Sequence, residues 1–560
     1  MTLVNARFYA PLRIFTALFI VAFTFLSAAQ AYAQTVSPDG AAKLKDHLQK
    51  TIKMHSDVKK LAGDTYEWTG DLTVEPSNTY YAVTLPYLKI KQATGSRMDI
   101  GMIAVNAIPS TQEGHWKVAV AVPTPIRVYD KLGSLDAEIA IGSQRMAGIW
   151  VEAAMNFLKL DGVYENIVVS NSQNAQILQA PKVTLRNDFE VTGEQLWSGP
   201  YSVTADNVTF NIPEEKVKGS IAQAYLTGDV KNFKISSLSD FQEKIQEVSG
   251  KIDQSVASGA PLDDQTKEQI GKMSSAMFDY LTDFSDSSNT AFGVKGIEVE
   301  FPSPTQDDQI ETVKMGQLGL DFSLADMTEA SATLGFGISL LGIDAGDNAA
   351  LSGQDAPKTE FYTIYIPDTF TLSFLLEKFP YKQMMGSLGK ASVDIINTEG
   401  NVDSNQATTD ILNAQMPNMK NLMTSLGTVI KLKNAAKSSD LYQIDLDTNL
   451  TASAVSPLMV VGTANLRIQG LDAVIGRLTQ DAQTATPEQA GQIQQALGGI
   501  GMMQMLGQQQ QDPTTGKIAH VYVFDFKESG QILLNGADMS ALTGAAGQAP
   551  APAQPVQPAQ

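Results

Sequence analysis

From Tyr66 to Ile235 apolar and polar residues alternate with a period of two, run after run. Trp116, Val118, Val120 and Val122 share one face, as do Leu135, Ala137, Ile139 and Ile141. Met98, Ile100, Met102 and Ala104 alternate with a second set that includes Ile103 and Val105. Val203 and Ala205 alternate, and after a slip of one residue Val208, Phe210 and Ile212 do so again. Turn clusters separate the runs: Thr94-Gly95-Ser96, Gln112-Glu113-Gly114, Lys131-Leu132-Gly133 and Ser170-Asn171-Ser172. This spacing predicts an antiparallel meander with one packed and one partly wet face. The phase changes near Pro86, Pro123 and Pro181, where bulges or edge positions are expected. Met146–Leu160 is ambiguous between strand and helix, with strand the preferred reading. The pattern restarts with Ile297, Val299 and Phe301, continues through Leu318–Leu324 and Ala330–Leu340, and returns at Tyr442–Leu450, Leu458–Ile468 and Ile518–Phe526.

Three stretches change period in mid-run. In Leu466–Leu478, Leu466 and Ile468 take strand spacing, while Leu471, Val474 and Leu478 take the spacing of one helical face. Phe233-x-Ile235-x-x-Leu238 leads likewise into Phe241 and Ile245, and Phe370-x-Leu372-x-x-Leu375 into Phe379. Each corner predicts an apolar helical stripe that covers a sheet face. Further helices are expected after Ser37-Pro38, with Leu44, Leu48 and Ile52 on one side. Others are expected at the capping box Ser239–Gln242 up to Gly250, after Pro261 through Phe284, at Thr408–Lys433 with an interruption at Pro417, and from Thr486-Pro487 through Met505. The fold expected is α+β and β-rich: two similar halves of curved antiparallel sheet with helices packed on one face. The first half spans 64–287 and the second 288–543. An amphipathic helix at 34–63 precedes them and an Ala/Pro/Gln tail at 544–560 follows.

Composition changes this picture in three ways. Arg7, Arg13, the apolar run Ile14–Ala29 and Ala31-Tyr32-Ala33 read as a cleavable leader at 1–33, which places the protein in the periplasm; the rival reading is an uncleaved anchor. The leader holds two of the 40 basic residues and none of the 60 acidic ones, so its removal takes the net charge from −20 to −22. A chain this acidic is ill suited to nucleic acid, whose phosphates demand lysine and arginine; it also argues against general adhesion to anionic membrane, though not against a local basic patch, so any membrane contact is expected to be peripheral. Zero cysteines exclude disulfides, thiolate metal sites and cysteine nucleophiles. The N-terminal helix is locally basic, with Lys43, Lys45, Lys50, Lys53, Lys59 and Lys60 against Asp39, Asp46 and Asp57. Packing on the sheet with a solvated lysine face is the expected role, and lying on anionic lipid the other.

Groups for chemistry are sparse. No Gly-x-Ser-x-Gly, His-Glu-x-x-His or phosphate-binding loop occurs. His47, His55, His115 and His520 lack ligand spacing. Ser56-x-x-Lys59 is a chance match on a lysine-rich helix. The pairs Asp263/Asp264, Asp307/Asp308 and Asp283 with Asp286 are read as solvated loops, and Asp445-x-Asp447-x-Asn449 as alternating strand residues rather than a calcium loop. No cofactor or metal is expected. Methionines gather in the later helices: Met384, Met385, Met416, Met419, Met423, Met502, Met503 and Met505. Thioethers adapt to apolar ligands of variable shape, though an ordinary helix–sheet core accounts for them too.

The corner Leu466–Leu478, the helix after it and the closing VYVFDFKESGQILLNGADMSAL resemble the tail of uncharacterised exported proteins of alphaproteobacteria, in domain-of-unknown-function families distantly similar to AsmA-like envelope proteins. Tyr81–Leu88 (YAVTLPYL) is similar to them as well. The resemblance implies a β-rich envelope protein with no assigned activity and carries over no functional residue. Many AsmA-like relatives keep a membrane anchor, from which a cleaved leader departs. The function expected is non-enzymatic: a sheet–helix groove that binds lipid or another apolar envelope component, lined by Met423, Leu471, Val474, Leu478, Met502 and Met505. The alternative is an envelope scaffold with a filled core and a protein partner.

Overall fold

The long strand Leu135–Val151 sets the plan of the first half, because it is paired from Ala137 to Val151 on one edge and shared between two partners on the other. It belongs to a computed structural model of the protein. The structure describes residues 36–61, 64–92, 94–112, 114–152, 156–235, 278, 280, 282–302, 310–344, 365–397, 418–438, 441–483, 485–512 and 516–539. The leader, the Ser239 capping box, most of the helix after Pro261, the loop after Asp344, the helical region before 418 and the tail lie outside these. Two compact units result. One comprises Met1–Ala332, Asp344–Gln354 and Tyr381–Gln415; the other comprises Thr333–Ile343, Asp355–Pro380 and Met416–Gln560. Every pairing given below is antiparallel, as the alternation predicts.

In the first unit, long strands follow one another in chain order: Leu135–Val151, Asn156–Asn171, Gln176–Asp188, Leu196–Ile212, Val217–Lys234, Ser287–Pro302 and Ile310–Ala325. Within Met146–Leu160, Met146–Val151 and Asn156–Leu160 are strand, the preferred reading, but they belong to two strands that pair with each other rather than to one. The short strands before them do not meander. One branch runs Thr73–Ser77, Tyr80–Thr84, Ala104–Pro109, His115–Ala121 and joins the second half of Leu135–Val151. The other runs Thr65–Thr69, Tyr87–Lys91, Arg97–Gly101, Ile126–Tyr129 and joins its first half. The chain crosses between branches at Leu85-Pro86, where the Leu85 N–H reaches Ile103 O at 2.9 Å and Pro86 has no donor to continue a ladder. The phase of burial changes there, from Tyr81 and Val83 to Leu88 and Ile90. It changes again at Gly101 (φ +101), so that Met102 is 59 % exposed while Ile103 is buried.

A second irregularity crosses the long strands in a line. Asn166, Asn207 and Gly296 have φ of 52, 54 and 59. The registers place Gly142 and Pro181 on either side of Asn166, Ala222 between Asn207 and Gly296, and Gly316 beyond. Along this crease each left-handed residue meets Gly, Pro or Ala. Close approach explains the choice: a Cβ on Gly142 would lie 2.9 Å from Asn166 Cβ, and one on Gly296 2.7 Å from Ala222 Cβ. Burial alternates on odd positions before the crease and even positions after it in Leu135–Val151, and in the opposite sense in Gln176–Asp188. The same side therefore faces the core throughout, and the sheet bends around it.

The helix Pro38–Leu61 closes this core. Ser37 is its N-cap, accepting the Gly40 N–H on Oγ at 3.1 Å, with Pro38 in the first turn. Ala41, Leu44 and Leu48 are buried, whereas Lys43, Lys50 and Lys53 are exposed, so the sheet-packed reading of this helix holds. Only about 10 Å3 remains between Leu44, Leu48, Val83, Val105, Ala107, Trp116, Val118 and Trp150. Tyr81, fully buried, accepts the Ser37 N–H on its hydroxyl at 3.1 Å. That hydroxyl would lie 2.1 Å from a Cβ on Gly40. In an ordinary helix Gly→Ala stabilises by about 1 kcal/mol. Here Gly40→Ala is expected to cost about 1–3 kcal/mol as an overpacked contact, and Tyr81→Phe in the same background to recover part of it. Denaturant titration of the wild type, the two single variants and the double variant checks this, and a more stable Gly40→Ala protein would refute it.

The second unit pairs Thr369–Phe379, Val429–Ser438, Tyr442–Ala452, Val460–Gln469 and Ile518–Phe526 in succession, with Ile532–Leu534 at the end. At the last corner the helix Leu471–Asp481 follows Gly470, as the change of period predicts. The Phe370 corner differs from expectation. Strand continues to Phe379, with Leu375 and Phe379 on it, and the helix Tyr381–Asn397 starts only after Pro380. Polar Thr371 and Ser373 kept the strand spacing going, and the bend waits for Lys378 in the left-handed region, φ 54. After Phe233 the strand ends at Lys234, and Leu238, Phe241 and Ile245 lie outside the described residues.

Candidate functional site

The register of the second unit sorts its strand residues by face. Phe370, Leu372, Phe374 and Leu376 stand opposite Ala436, Asn434, Leu432 and Ile430. The same rows continue through Ile444, Leu446, Thr448 and Leu450, then Ile468, Leu466, Ala464 and Gly462, and finally His520, Tyr522, Phe524 and Phe526. The result is an apolar face interrupted by few polar groups. Its polar members are satisfied or enclosed: Thr448 Oγ1 accepts from Leu432 N at 2.7 Å, Asn434 Nδ2 donates to Thr371 O at 3.2 Å, and His520 is buried. The opposite face carries charge. Lys431 pairs with Glu377, and Lys433 lies 3.6 Å from Asp447. Asp445, Asp447 and Asn449 alternate along this face, as expected of a strand.

One end of the apolar face is covered. Leu471 packs with Ile468, Tyr522 and Leu534, and with the partly buried Ile500 and Met503. Tyr522 Oη donates to Met503 O at 2.7 Å, and burial raises the pKa of this phenol. At the other end Phe374, Leu376, Ile430, Leu432 and Leu450 are only half-buried.

The six residues expected to line a groove divide between these environments. Leu471 and Leu478 are buried beneath their helix. Val474, one turn on, is half-buried, as is Met423 on the helix at 418–426. Met502 and Met505 are 56 % and 82 % exposed, and Met503 is the methionine of that helix that turns to the sheet. The half-buried rows around Leu432 were missed as a site because strand alternation marks a face without saying whether anything covers it.

The first unit repeats the arrangement. One row across its sheet reads Leu185, Val203, Leu226, Phe292, Leu320. Leu185 and Val203 are buried in the core, Leu226 is half-buried and Phe292 is 38 % exposed. Phe322, 46 % exposed, stacks on Phe292 with ring centroids 6.0 Å apart and an interplanar angle of 11°. The apolar face therefore runs out from under its cover toward the last strands. On the other face lie Lys218–Glu300 (2.8 Å), Glu298–Lys314 (3.0 Å) and Lys295 over the Tyr225 ring. A hollow of about 440 Å3, with both polar and apolar walls, lies among Ile177, Thr209, Phe210, Lys218, Glu298 and Glu300.

Other candidate groups have structural roles. Ser56 Oγ donates to Ile52 O and accepts from Trp68 Nε1 at 3.0 Å. Asp283 pairs with Lys234 at 2.5 Å, and Asp286 accepts from Asn232 Nδ2 at 2.7 Å. His47 and His520 sit in the core, and burial lowers the pKa of His115. Asp263/Asp264 and Asp307/Asp308 lie outside the described residues. Among the described residues no cluster of three or more His, Asp or Glu could hold a metal, and no helix is long and apolar enough to cross a membrane. What the arrangement offers chemically is desolvation of apolar surface. Compared with known proteins, the chain matches no family model, no curated protein and no solved structure.

Proposed function

We propose that the protein is a non-enzymatic component of the cell envelope, exported to the periplasm, that binds the acyl part of a lipid along the half-buried apolar rows of its sheet. The observation that carries this reading is the ladder Phe374–Leu432 and Leu376–Ile430–Leu450, half-buried on a face whose reverse is charged. Such a surface is apolar with few polar contacts, the composition of a ligand site. Each methylene it removes from water contributes about 0.8 kcal/mol. The exposed Phe292–Phe322 stack offers the first unit a surface of the same kind.

The test is native mass spectrometry with lipid extraction on protein purified from a bacterial periplasm without detergent. A stoichiometric apolar ligand is expected, and Leu432→Asp, which places a carboxylate on the half-buried face, should lower occupancy at least tenfold, about 1.4 kcal/mol. A clean apo mass that persists after incubation with envelope lipids would overturn the proposal. The filled interface under the N-terminal helix favours a second reading, a scaffold whose cores are closed by their own side chains. Recovery of a stable protein partner without lipid would favour it.

A further inference from the structure

We propose that the helix Pro38–Leu61 is a proton-released arm: below neutral pH it leaves the sheet and its freed apolar face, flanked by lysines, lies on an anionic bilayer. The proposal does not depend on the acyl-binding rows.

His47 is the reason for the release. It is 3 % exposed, in the middle of the docked face between Leu44 and Leu48. Its Nε2 has no hydrogen-bond partner, and its ring is 6.1 Å from that of Trp150. Among the described residues, no sheet group hydrogen-bonds this buried Nε2. The acid at that strand end, Glu152, is buried and takes the Trp116 Nε1–H at 2.7 Å. On the helix itself Asp46 favours the charged ring and Lys50 opposes it, and these two pair with each other at 2.7 Å. Burial, the largest cause, then Lys50, push the imidazole pKa down to about 3. A charged imidazole is thus excluded from the docked state and free to form in the undocked one. The sign follows. Docking is unaffected above the ordinary value of 6.5, and is progressively lost as pH falls from there toward 3.

The freed surface has the composition of an interfacial helix. Ala41, Leu44 and Leu48 form its apolar stripe, and Lys43, Lys45, Lys50 and Lys53 face Asp39 and Asp46. A protonated His47 adds a positive charge to the stripe. In a protein of net charge −20 this local excess of lysine selects an anionic surface over a neutral one.

Hydrogen–deuterium exchange on the full chain tests both parts, with rates corrected for intrinsic pH dependence. Between about pH 7.5 and about pH 4.5, opening of the amides at 41–52 should rise about 100-fold, while those at 156–171 keep their protection. Phosphatidylglycerol-containing vesicles should restore protection at the lower pH, and phosphatidylcholine vesicles should not. His47→Leu should abolish the rise. Lys43→Gln with Lys53→Gln, both at exposed positions and neither among the groups that set the His47 charge, should keep the rise and lose the recapture. Unchanged protection at low pH, or a rise that survives His47→Leu, would overturn the switch. Equal recapture by both vesicles, or protection that returns with protein concentration alone, would overturn the membrane partner.

Discussion

Trp150→Ala should destabilise the first unit by about 3–5 kcal/mol, the range for deleting a large aromatic from a closed core. Trp150 is 1 % exposed and lies where the branch ending in His115–Ala121 joins the second half of the long strand, opposite Trp116 on one neighbour and Phe157 on the other. It also faces His47 on the N-terminal helix, so its removal opens space beneath helix and branch at once. Only about 10 Å3 is vacant there now. The cavity left by an indole cannot be filled unless the helix moves inward, and the Tyr81 hydroxyl against Gly40 opposes that movement. Exchange protection should fall across residues 115–151 and stay unchanged across 442–469, which belong to the other unit. A loss below about 1 kcal/mol in denaturant would mean that the helix does settle into the space.

These residues show what the chain discloses locally. Period-two spacing identified the faces of the long strands, since Trp116, Val118 and Val122 are buried together, as are Ala137, Ile139 and Ile141. Alternation specifies a face but not a partner, so the interleaving of the first eight strands could not be read from it. The slip before Val208 was visible. Its cause, Asn207 in the left-handed region, was not, because asparagine enters that region at single positions without a Gly/Pro cluster to mark them. Only the register reveals that Asn166, Asn207 and Gly296 fall on one line. The helix Pro487–Leu506 shows the limit for a site. Apolar residues surround it, and methionine density drew attention to Met502 and Met505. Ile493, Ile500 and Met503, seven and then three residues apart, were the helical face that packs.

Gly470→Ala should cost the second unit about 3 kcal/mol or more, a large effect for one methyl group. Gly470 joins Val460–Gln469 to the helix Leu471–Asp481, with φ +84. An L-residue in the left-handed region costs about 1–2 kcal/mol. A Cβ there would also lie 2.0 Å from Leu441 O and 3.0 Å from Leu441 C, and a backbone obstacle cannot rotate away as a side chain can. Relief requires the Leu441 turn or the helix to shift. Gly470 O accepts the Val474 N–H at 3.0 Å, and Leu471 beside it holds the cluster with Ile468 and Tyr522, so a shift loosens that core as well. The other corners isolate the two contributions. Asn232 and Lys378 also take left-handed conformations, φ 51 and 54, without glycine. Replacing the exposed Lys378 by Gly trades relief of conformational strain against a more flexible unfolded chain, and should leave stability within about 1 kcal/mol of wild type. If Gly470→Ala proved equally mild in chemical denaturation, the turn at Leu441 must yield, and the close approach of backbone to backbone would not be what fixes this corner.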